Sequence, residues 1–204
     1  MFRPGASRAT LAVAIWPSAT APAVPRVFLL MLAGSIFIAL AAQVRVPLWP
    51  VPMTGQTFAV LLVGVAFGWR LGAATLLLYM AEGILGIPVF ANATAGPAVI
   101  LGPTGGYILG FVLAAALIGY LAERGWDRSV WRMALAMLFG NLAIYLLGVP
   151  WLAAYFAGIG SEAPLQAAIA GGLVPFLLGD GLKLALAACL LPATWNIMDR
   201  LRRD

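Results

Sequence analysis

Two charged residues, three positions apart, stand inside an otherwise apolar stretch near the carboxyl end of the chain. Lys183 is the only lysine among 204 residues, and Asp180 precedes it by three positions. Positions i and i+3 share one face of a helix, so the carboxylate and the ammonium can meet or can flank one polar ligand. A charged side chain at the centre of a bilayer costs roughly 2.5–3.5 kcal/mol on insertion scales and usually marks function. The pair therefore predicts a binding site, and the alternative is a structural ion pair between packed helices.

The composition is that of an integral membrane protein. The chain is 63% hydrophobic and 9% charged, with a mean hydropathy of +1.01, whereas a soluble domain is roughly 25% charged. The single cysteine, Cys189, has no partner for an internal disulfide, and the absence of histidine argues against metal and redox chemistry. The chain has neither a Gly-x-x-x-x-Gly-Lys-Ser/Thr loop nor a nucleophile beside a histidine. We therefore expect no enzyme activity, no cofactor, no metal and no nucleic-acid partner.

Hydrophobic runs predict an all-α, polytopic membrane protein with six transmembrane helices. A span needs about 20 residues, and the predicted spans are 27–46, two short spans within 56–86 joined by a turn at 68–72, then 103–121, 130–155 and the end of 165–191. The last run is too long for one straight helix. It contains Gly171, Gly172 and Pro175, which predict a short re-entrant or interfacial piece followed by a break at Pro175 and then span six.

The arginines predict the orientation of these spans. Six spans bring both termini, the turn at Arg70 and the segment 123–132 to one side, which then holds ten arginines, while the opposite side holds only Arg45. Positively charged loops stay cytoplasmic, so both termini are expected in the cytoplasm and the protein in the inner (plasma) membrane. The predicted domains are a flexible cytoplasmic tail at 1–25, a transmembrane substrate-binding domain at 26–200 and a short basic tail at 201–204.

The two outer connections have unusual compositions. Segments 45–56 and 86–107 are rich in proline and apolar residues, which suits a cap over a small-molecule pocket, although Trp49 alone is equally typical of interfacial anchoring. The run Gly102-Pro-Thr-Gly-Gly-Tyr107 either cradles a polar ligand with its backbone or serves helix packing. Packing is the favoured interpretation for Gly64, Gly68 and Gly110.

Four motifs in order resemble one known family. They are Val51-Pro-Met-Thr-Gly-Gln-Thr-Phe-Ala-Val-Leu-Leu, Gly86-Ile-Pro-Val-Phe, Leu101-Gly-Pro-Thr-Gly-Gly-Tyr-Ile-Leu-Gly-Phe and Gly179-Asp-Gly-Leu-Lys. Over about residues 27–195 the chain resembles the biotin-specific S-components, the BioY family, of energy-coupling-factor (ECF) transporters. The resemblance implies a six-helix S-component bundle that captures biotin from outside and releases it inward. It also implies, as partners, a transmembrane coupling subunit and two ABC-type ATPases. Self-association stays open.

The resemblance also implies site residues. The family carries its key acidic and basic ligand residues at the Asp180-x-x-Lys183 position, where they suit the N–H groups and the carbonyl of the biotin ureido ring. In the alternative, Lys183 or Arg45 holds the biotin carboxylate. Further candidates are five polar groups and two apolar walls: Thr54, Gln56, Asn92, Thr104, Tyr107, Trp49 and Phe90.

S-components often dock on the coupling subunit through an Ala-x-x-x-Ala pattern in the first helix. The nearest match here is Ser35-x-x-x-Ala39, with Gly34 beside it. Two other functions remain alternatives: a self-sufficient facilitator of biotin or another small solute, and a ligand-free structural membrane protein.

Overall fold

The structure, a computed structural model, describes residues 10–15 and 23–201 and is almost entirely helical. In chain order the elements are α1 (Leu11–Ile15), α2 (Ala23–Gln43), β1 (Arg45–Val46), β2 (Met53–Thr54), α3 (Gln56–Ile84), a 3-10 turn (Ala91–Ala93), α4 (Pro97–Leu101), α5 (Gly105–Glu123), a 3-10 turn (Trp126–Arg128), α6 (Val130–Gly158), α7 (Pro164–Gly172) and α8 (Phe176–Leu201). The two short strands pair antiparallel, with Arg45 opposite Thr54.

Five helices in the described part of the chain are long and apolar enough to cross a membrane, so the chain is a multi-pass membrane protein. They are Val24–Gln43, Gln56–Ile84, Gly105–Glu123, Val130–Gly158 and Phe176–Trp195. The nine-residue α7 is too short to span. Because α8 begins directly after Pro175, the predicted short piece and break in the last apolar run are confirmed. The sequence predicts six spans, and five helices of spanning length are found in the described residues. The difference lies at α3, which covers two predicted spans.

Helix α3 is folded back on itself at the predicted turn. Gly68 has a φ of 82° and a ψ of 176°, which ends one helical segment and starts another. The side chains of Gln56 and Tyr79 are hydrogen bonded at 2.8 Å, although a straight helix would hold residues so far apart in sequence roughly 35 Å from each other. The carboxylate of Glu123 accepts a hydrogen bond from the first backbone N–H after the turn, that of Trp69, at 3.2 Å. The two halves of α3 are therefore antiparallel neighbours.

Close helix contacts explain the small residues in the apolar runs. Helix α3 packs mainly against α5, and α5 packs against α6. A Cβ atom on Gly110 of α5 would lie 2.8 Å from the Cα of Ile144 on α6, and one on Gly106 would lie 2.6 Å from the carbonyl oxygen of Leu147. Helix packing thus accounts for both glycines.

The predicted tail, 1–25, falls largely outside the described residues. Within it, α1 is a single turn that packs on α3, with Leu11 buried. The side chain of Arg26, at the start of α2, donates a hydrogen bond to the carbonyl oxygen of Ala12 at 3.3 Å. The tail 201–204 lies beyond the described residues except for Leu201.

Two contacts show which ends of the helices lie together. The Trp195 indole N–H near the end of α8 donates to the Asp127 carboxylate at 2.5 Å, and Arg128 stacks over the Trp195 ring. Since Glu123 also bonds the turn of α3, the turn, the α5–α6 connection and the far end of α8 share one face of the molecule. The starts of α3, α5 and α8 lie at the opposite face.

Candidate ligand-binding site

A cavity of about 240 Å³ lies at the face where α3, α5 and α8 begin. It is somewhat below the roughly 300–1,000 Å³ of common small-molecule pockets, so it suits a small ligand. Its polar lining is Thr54, Gln56, Thr57, Asn92, Thr94, Thr104, Tyr107, Tyr145 and Lys183, and its larger apolar residues are Pro50, Val51, Pro52, Phe90, Val99, Ile108, Phe111, Ile144 and Phe176. Such a lining is typical of sites that hold an apolar ring and a few polar groups.

Lys183 faces this cavity from the second turn of α8, and its ammonium group makes three contacts. It donates to the backbone carbonyl oxygen of Thr54 at 2.9 Å, to the Thr57 hydroxyl at 2.8 Å and to the Asp180 carboxylate at 3.2 Å. The three donors of the ammonium are matched by three acceptors. The lysine is therefore held at the start of α3, and its charge is neutralised beside the cavity.

Asp180 lies behind the cavity wall rather than in it. The residue is buried and is absent from the cavity lining. One carboxylate oxygen contacts Lys183 and accepts from the Thr57 hydroxyl at 3.4 Å, and the other accepts from the Tyr145 hydroxyl of α6. A carboxylate that accepts several hydrogen bonds fixes the orientation of its donors. Asp180 thus orients three groups that do face the cavity, those of Thr57, Tyr145 and Lys183.

A second chain of hydrogen bonds joins the two halves of α3 below the cavity. The Thr54 hydroxyl donates to the Gln56 side-chain carbonyl at 2.9 Å, and the Gln56 amide donates to the Tyr79 hydroxyl at 2.8 Å. Tyr79 in turn donates to the backbone carbonyl oxygen of Val89 at 3.0 Å. These bonds tie the start of α3 to the connection that leads into the 3-10 turn at 91–93.

That connection brings Phe90 and Asn92 to the cavity. Phe90 is buried and packs edge-on against Tyr79, with ring centroids 5.5 Å apart. Asn92 follows with a φ of 64°, a left-handed conformation that asparagine tolerates better than most residues. Its side-chain amide makes no hydrogen bond to any residue that the structure describes. It is therefore available to a ligand.

Thr104 and Tyr107 also line the cavity, but their hydroxyl protons are already used. The Thr104 hydroxyl donates to the carbonyl oxygen of Val99 at 3.3 Å, and the Tyr107 hydroxyl donates to that of Gly172 at 2.8 Å. Each can still accept a hydrogen bond. The Tyr107 ring also packs edge-on against Tyr145.

Two residues predicted for the site lie elsewhere. Trp49 is 79% exposed and packs on Phe156 of α6, with ring centroids 5.8 Å apart, outside the cavity. Arg45 is exposed in β1 and is also outside the cavity. The connection between β1 and β2 presents Pro50 and Pro52 to the cavity instead. Trp49, predicted as a wall, and Arg45, predicted as a contact, are therefore not part of the site proposed below.

The predicted docking residues on α2 point mainly inward. Gly34 is buried, and a Cβ there would lie 2.7 Å from the Thr75 side chain. Ser35 is also fully buried, and its hydroxyl donates to the Glu82 carboxylate in the second half of α3. Ala39 is half-buried, at an apolar groove between α2 on one side and Glu82 and the connection 87–93 on the other. Of the three residues, only Ala39 remains accessible to a partner, because α3 covers the other two.

Sequence reasoning missed three polar residues that line the cavity: Thr57, Thr94 and Tyr145. Thr57 directly follows the predicted Gln56 and had no separate signal. Tyr145 carries a hydroxyl in the middle of the apolar α6, and that isolated polar group was the available clue. Its pairing with Asp180 depends on the packing of α6 against α8, which no local pattern encodes.

Comparisons with known proteins agree with this architecture. The probable biotin transporter BioY of Pyrococcus horikoshii is 42% identical over 159 residues, covering 76% of this chain and 90% of that relative. The biotin transporter BioY of Thermotoga maritima is 39% identical over 163 residues, covering 78% and 92%. A crystal structure of the S-component for biotin from an ECF-type ABC transporter superposes with a TM-score of 0.69 at 25% identity, covering 89% of this chain and 93% of that one. The model of the BioY family matches residues 7–200, and the chain belongs to the BioY family.

Proposed function

We propose that this chain is the biotin-binding membrane subunit of an uptake system, capturing biotin at the outer face and delivering it inward. The observation that carries the proposal is a cavity that combines polar and apolar walls, faced by the Lys183 ammonium and by an Asn92 amide that bonds no residue in the described part of the chain. Biotin has a ureido ring, an apolar thiophane ring and a carboxylate on a flexible chain, so it needs this combination. The BioY relatives and the biotin S-component support the same ligand.

We assign the ureido ring to the part of the cavity wall formed by Lys183 and Tyr145, which Asp180 orients from behind. The ammonium is already neutralised by a carboxylate 3.2 Å away, so the wall suits a neutral group with both donors and acceptors better than a second carboxylate. The Lys183 ammonium then exchanges one of its three present acceptors for the ureido carbonyl, and one ureido N–H group donates to the Tyr145 oxygen. The second ureido N–H group donates to the Asp180 carboxylate once the side chains of the wall have shifted to expose it.

The orientation of the ligand has its own test. If the carboxylate lies away from Lys183, the ratio of the dissociation constants of biotin and biotin amide stays the same in Lys183→Ala. A ratio that collapses toward one in the variant means that Lys183 binds the carboxylate, and the assignment is reversed.

The remaining cavity residues complete the proposed site. The Asn92 amide offers both a donor and an acceptor, and Thr54, Gln56, Thr104 and Tyr107 offer acceptor lone pairs. Phe90 supplies an apolar wall for the thiophane ring.

We propose that the membrane domain, 26–200, crosses the plasma membrane six times. The turn at Gly68 and the bond between Gln56 and Tyr79 support two antiparallel crossings within α3. The arginine-rich connections share the face opposite the cavity, which supports cytoplasmic termini and an outward-facing site.

Transport by a member of this family is not an enzymatic reaction of the chain itself. We propose that the energy comes from a coupling transmembrane subunit and two ABC-type ATPases, as the ECF-type transporter context of the similar structure suggests. The docking face is the accessible side of α2, where Ala39 borders a groove together with the exposed Ile36 and Leu40.

The first test is biotin binding to the purified protein in lipid nanodiscs, comparing wild type, Lys183→Ala and Leu182→Ala. Leu182 is the adjacent residue, 65% exposed on the lipid side, so its variant controls for changes in α8. Tight, saturable binding that only Lys183→Ala loses supports both substrate and site. A well-folded wild type that does not bind biotin refutes the proposal. Biotin uptake into vesicles that lack ATPases would favour a self-sufficient facilitator.

A further inference from the structure

The side chain of Gln43 bridges two segments that the proposed binding reaction does not otherwise connect. Gln43 is the last residue of α2. Its amide N–H group donates to the backbone carbonyl oxygen of Phe90 at 3.1 Å, and its side-chain oxygen accepts from the backbone N–H of Ala93 at 3.0 Å. One amide thus holds the chain on both sides of Asn92.

The segment that Gln43 holds has an unfavourable backbone. Asn92 and Ala93 have φ values of 64° and 52°, so two consecutive residues other than glycine are in the left-handed region. Alanine has no side chain that compensates for this conformation, and such residues persist only where their surroundings impose it. Gln43 supplies part of that constraint, because its side chain bonds one backbone group on each side of Asn92.

The other anchors of the turn leave Asn92 itself undetermined. The buried Phe90 ring fixes the beginning of the segment, and the Thr94 hydroxyl closes its end by donating to the carbonyl oxygen of Ala91 at 2.8 Å. The backbone closes it as well, through bonds from the Phe90 N–H to the Thr94 carbonyl oxygen at 3.2 Å and from the Thr94 N–H to the Ala91 carbonyl oxygen at 3.3 Å. None of these contacts bonds a backbone group of Asn92 or Ala93 directly. Gln43 does, although it is not among the residues that line the cavity.

We propose that Gln43 is a positioning residue for the ligand: by clamping the carbonyl of Phe90 and the N–H of Ala93, it presents the free Asn92 amide to the cavity. The inference rests on the proposed function, since Asn92 is a biotin contact only there. The competing explanation is that the Gln43 side chain only stabilises the carboxyl end of α2, because its amide also donates to the carbonyl oxygen of Ala39 at 3.1 Å.

A double-mutant cycle separates the two explanations. Gln43→Met keeps the length of the side chain and removes both hydrogen bonds. Asn92→Gly removes the amide and keeps a residue that adopts positive φ without strain. The control is Gln166→Met, which alters an exposed glutamine on α7, away from the cavity. Biotin dissociation constants and melting temperatures are measured for wild type, the three single variants and Gln43→Met/Asn92→Gly in nanodiscs.

We expect Gln43→Met to raise the dissociation constant by roughly three- to tenfold, because losing one or two net hydrogen bonds lowers the population of the turn that presents Asn92 by about that factor. The melting temperature is expected to fall by only a few degrees. In the Asn92→Gly background the same substitution is expected to change affinity less than twofold, because the effect is transmitted through Asn92. An equal loss in both backgrounds, or wild-type affinity in Gln43→Met, overturns the inference and leaves biotin binding intact. A wild type that fails to bind biotin overturns the proposed function and this inference with it.

Discussion

Replacing Lys183 by methionine separates a ligand-binding role of the charged pair from a structural one. Methionine has a similar length and no charge, so the substitution removes the ammonium and its three contacts. A hydrogen bond to a charged group contributes about 1.5–3 kcal/mol. We therefore expect the dissociation constant for biotin to rise by roughly 10- to 150-fold.

The same substitution has a cost in stability that a second change relieves. It leaves the buried Asp180 without its cation, and removing one partner of a buried pair costs about 3–5 kcal/mol. Asp180 keeps its bonds to Thr57 and Tyr145, so the low end of that range applies. In Lys183→Met/Asp180→Asn the uncompensated charge is gone, and the melting temperature is expected to return most of the way to the wild-type value, whereas biotin binding is not.

The assay combines titration of biotin with thermal unfolding of the same nanodisc samples, and Leu182→Met provides the matched control on the lipid-facing side of α8. In the double variant the melting temperature must recover while the affinity for biotin does not. If Lys183→Met binds biotin as tightly as wild type, or if the double variant regains binding along with stability, the pair is structural and the ligand lies elsewhere.

Three further outcomes follow from other contacts. Tyr145→Phe removes the hydroxyl that bonds the Asp180 carboxylate, so we expect a several-fold loss of biotin affinity in the same titration with little change in melting temperature; undiminished affinity would count against the assigned wall. Ala39→Trp fills the groove on α2 and should abolish copurification with a coupling subunit. The control is Leu142→Trp, at an exposed, lipid-facing position of α6, which should leave copurification intact. If both variants still copurify with the coupling subunit, the docking face is not this groove. Gly68→Ala places a Cβ on a residue with a φ of 82° and should destabilise the protein by roughly 1–2 kcal/mol or more. The control is Gly181→Ala, where a Cβ meets open space and no destabilisation is expected. Equal melting temperatures of the two variants would refute a tight turn at Gly68.

Sequence reasoning reached the fold because membrane proteins obey strong local rules. A spanning segment must be apolar and helical over its length, so hydropathy located the helices. Pro175 and Gly68 located the interruptions, because proline restricts the backbone and glycine frees it wherever they occur. The site was only partly accessible. Lys183 and Asp180 were evident because charge inside an apolar helix needs an explanation, whereas Thr57 and Tyr145 carry common polar groups whose relevance depends on what lies opposite them.

Residues in connections were the least predictable. Trp49 and Phe90 are both aromatic residues in proline-containing outer segments, yet Phe90 is buried at the cavity and Trp49 is exposed. A loop has no period that assigns its side chains to a face, so only its contacts with the helices decide which of them turn inward. On helix α2, Gly34 and Ser35 match a docking pattern but are covered by α3. A short pattern in one helix does not record which neighbouring helix packs against it.

By itself the sequence determined that this protein is a helical membrane protein of the BioY type with a charged pair on one face of its last long helix, because hydropathy, charge placement and short motifs are local properties of the chain. Only the tertiary structure decided which groups that pair meets, that Asp180 stands behind Lys183 rather than beside it in the cavity, and that Gln43 holds the turn at Asn92. Those relations join residues 35 to 129 positions apart. They exist only once helix packing has brought the elements together.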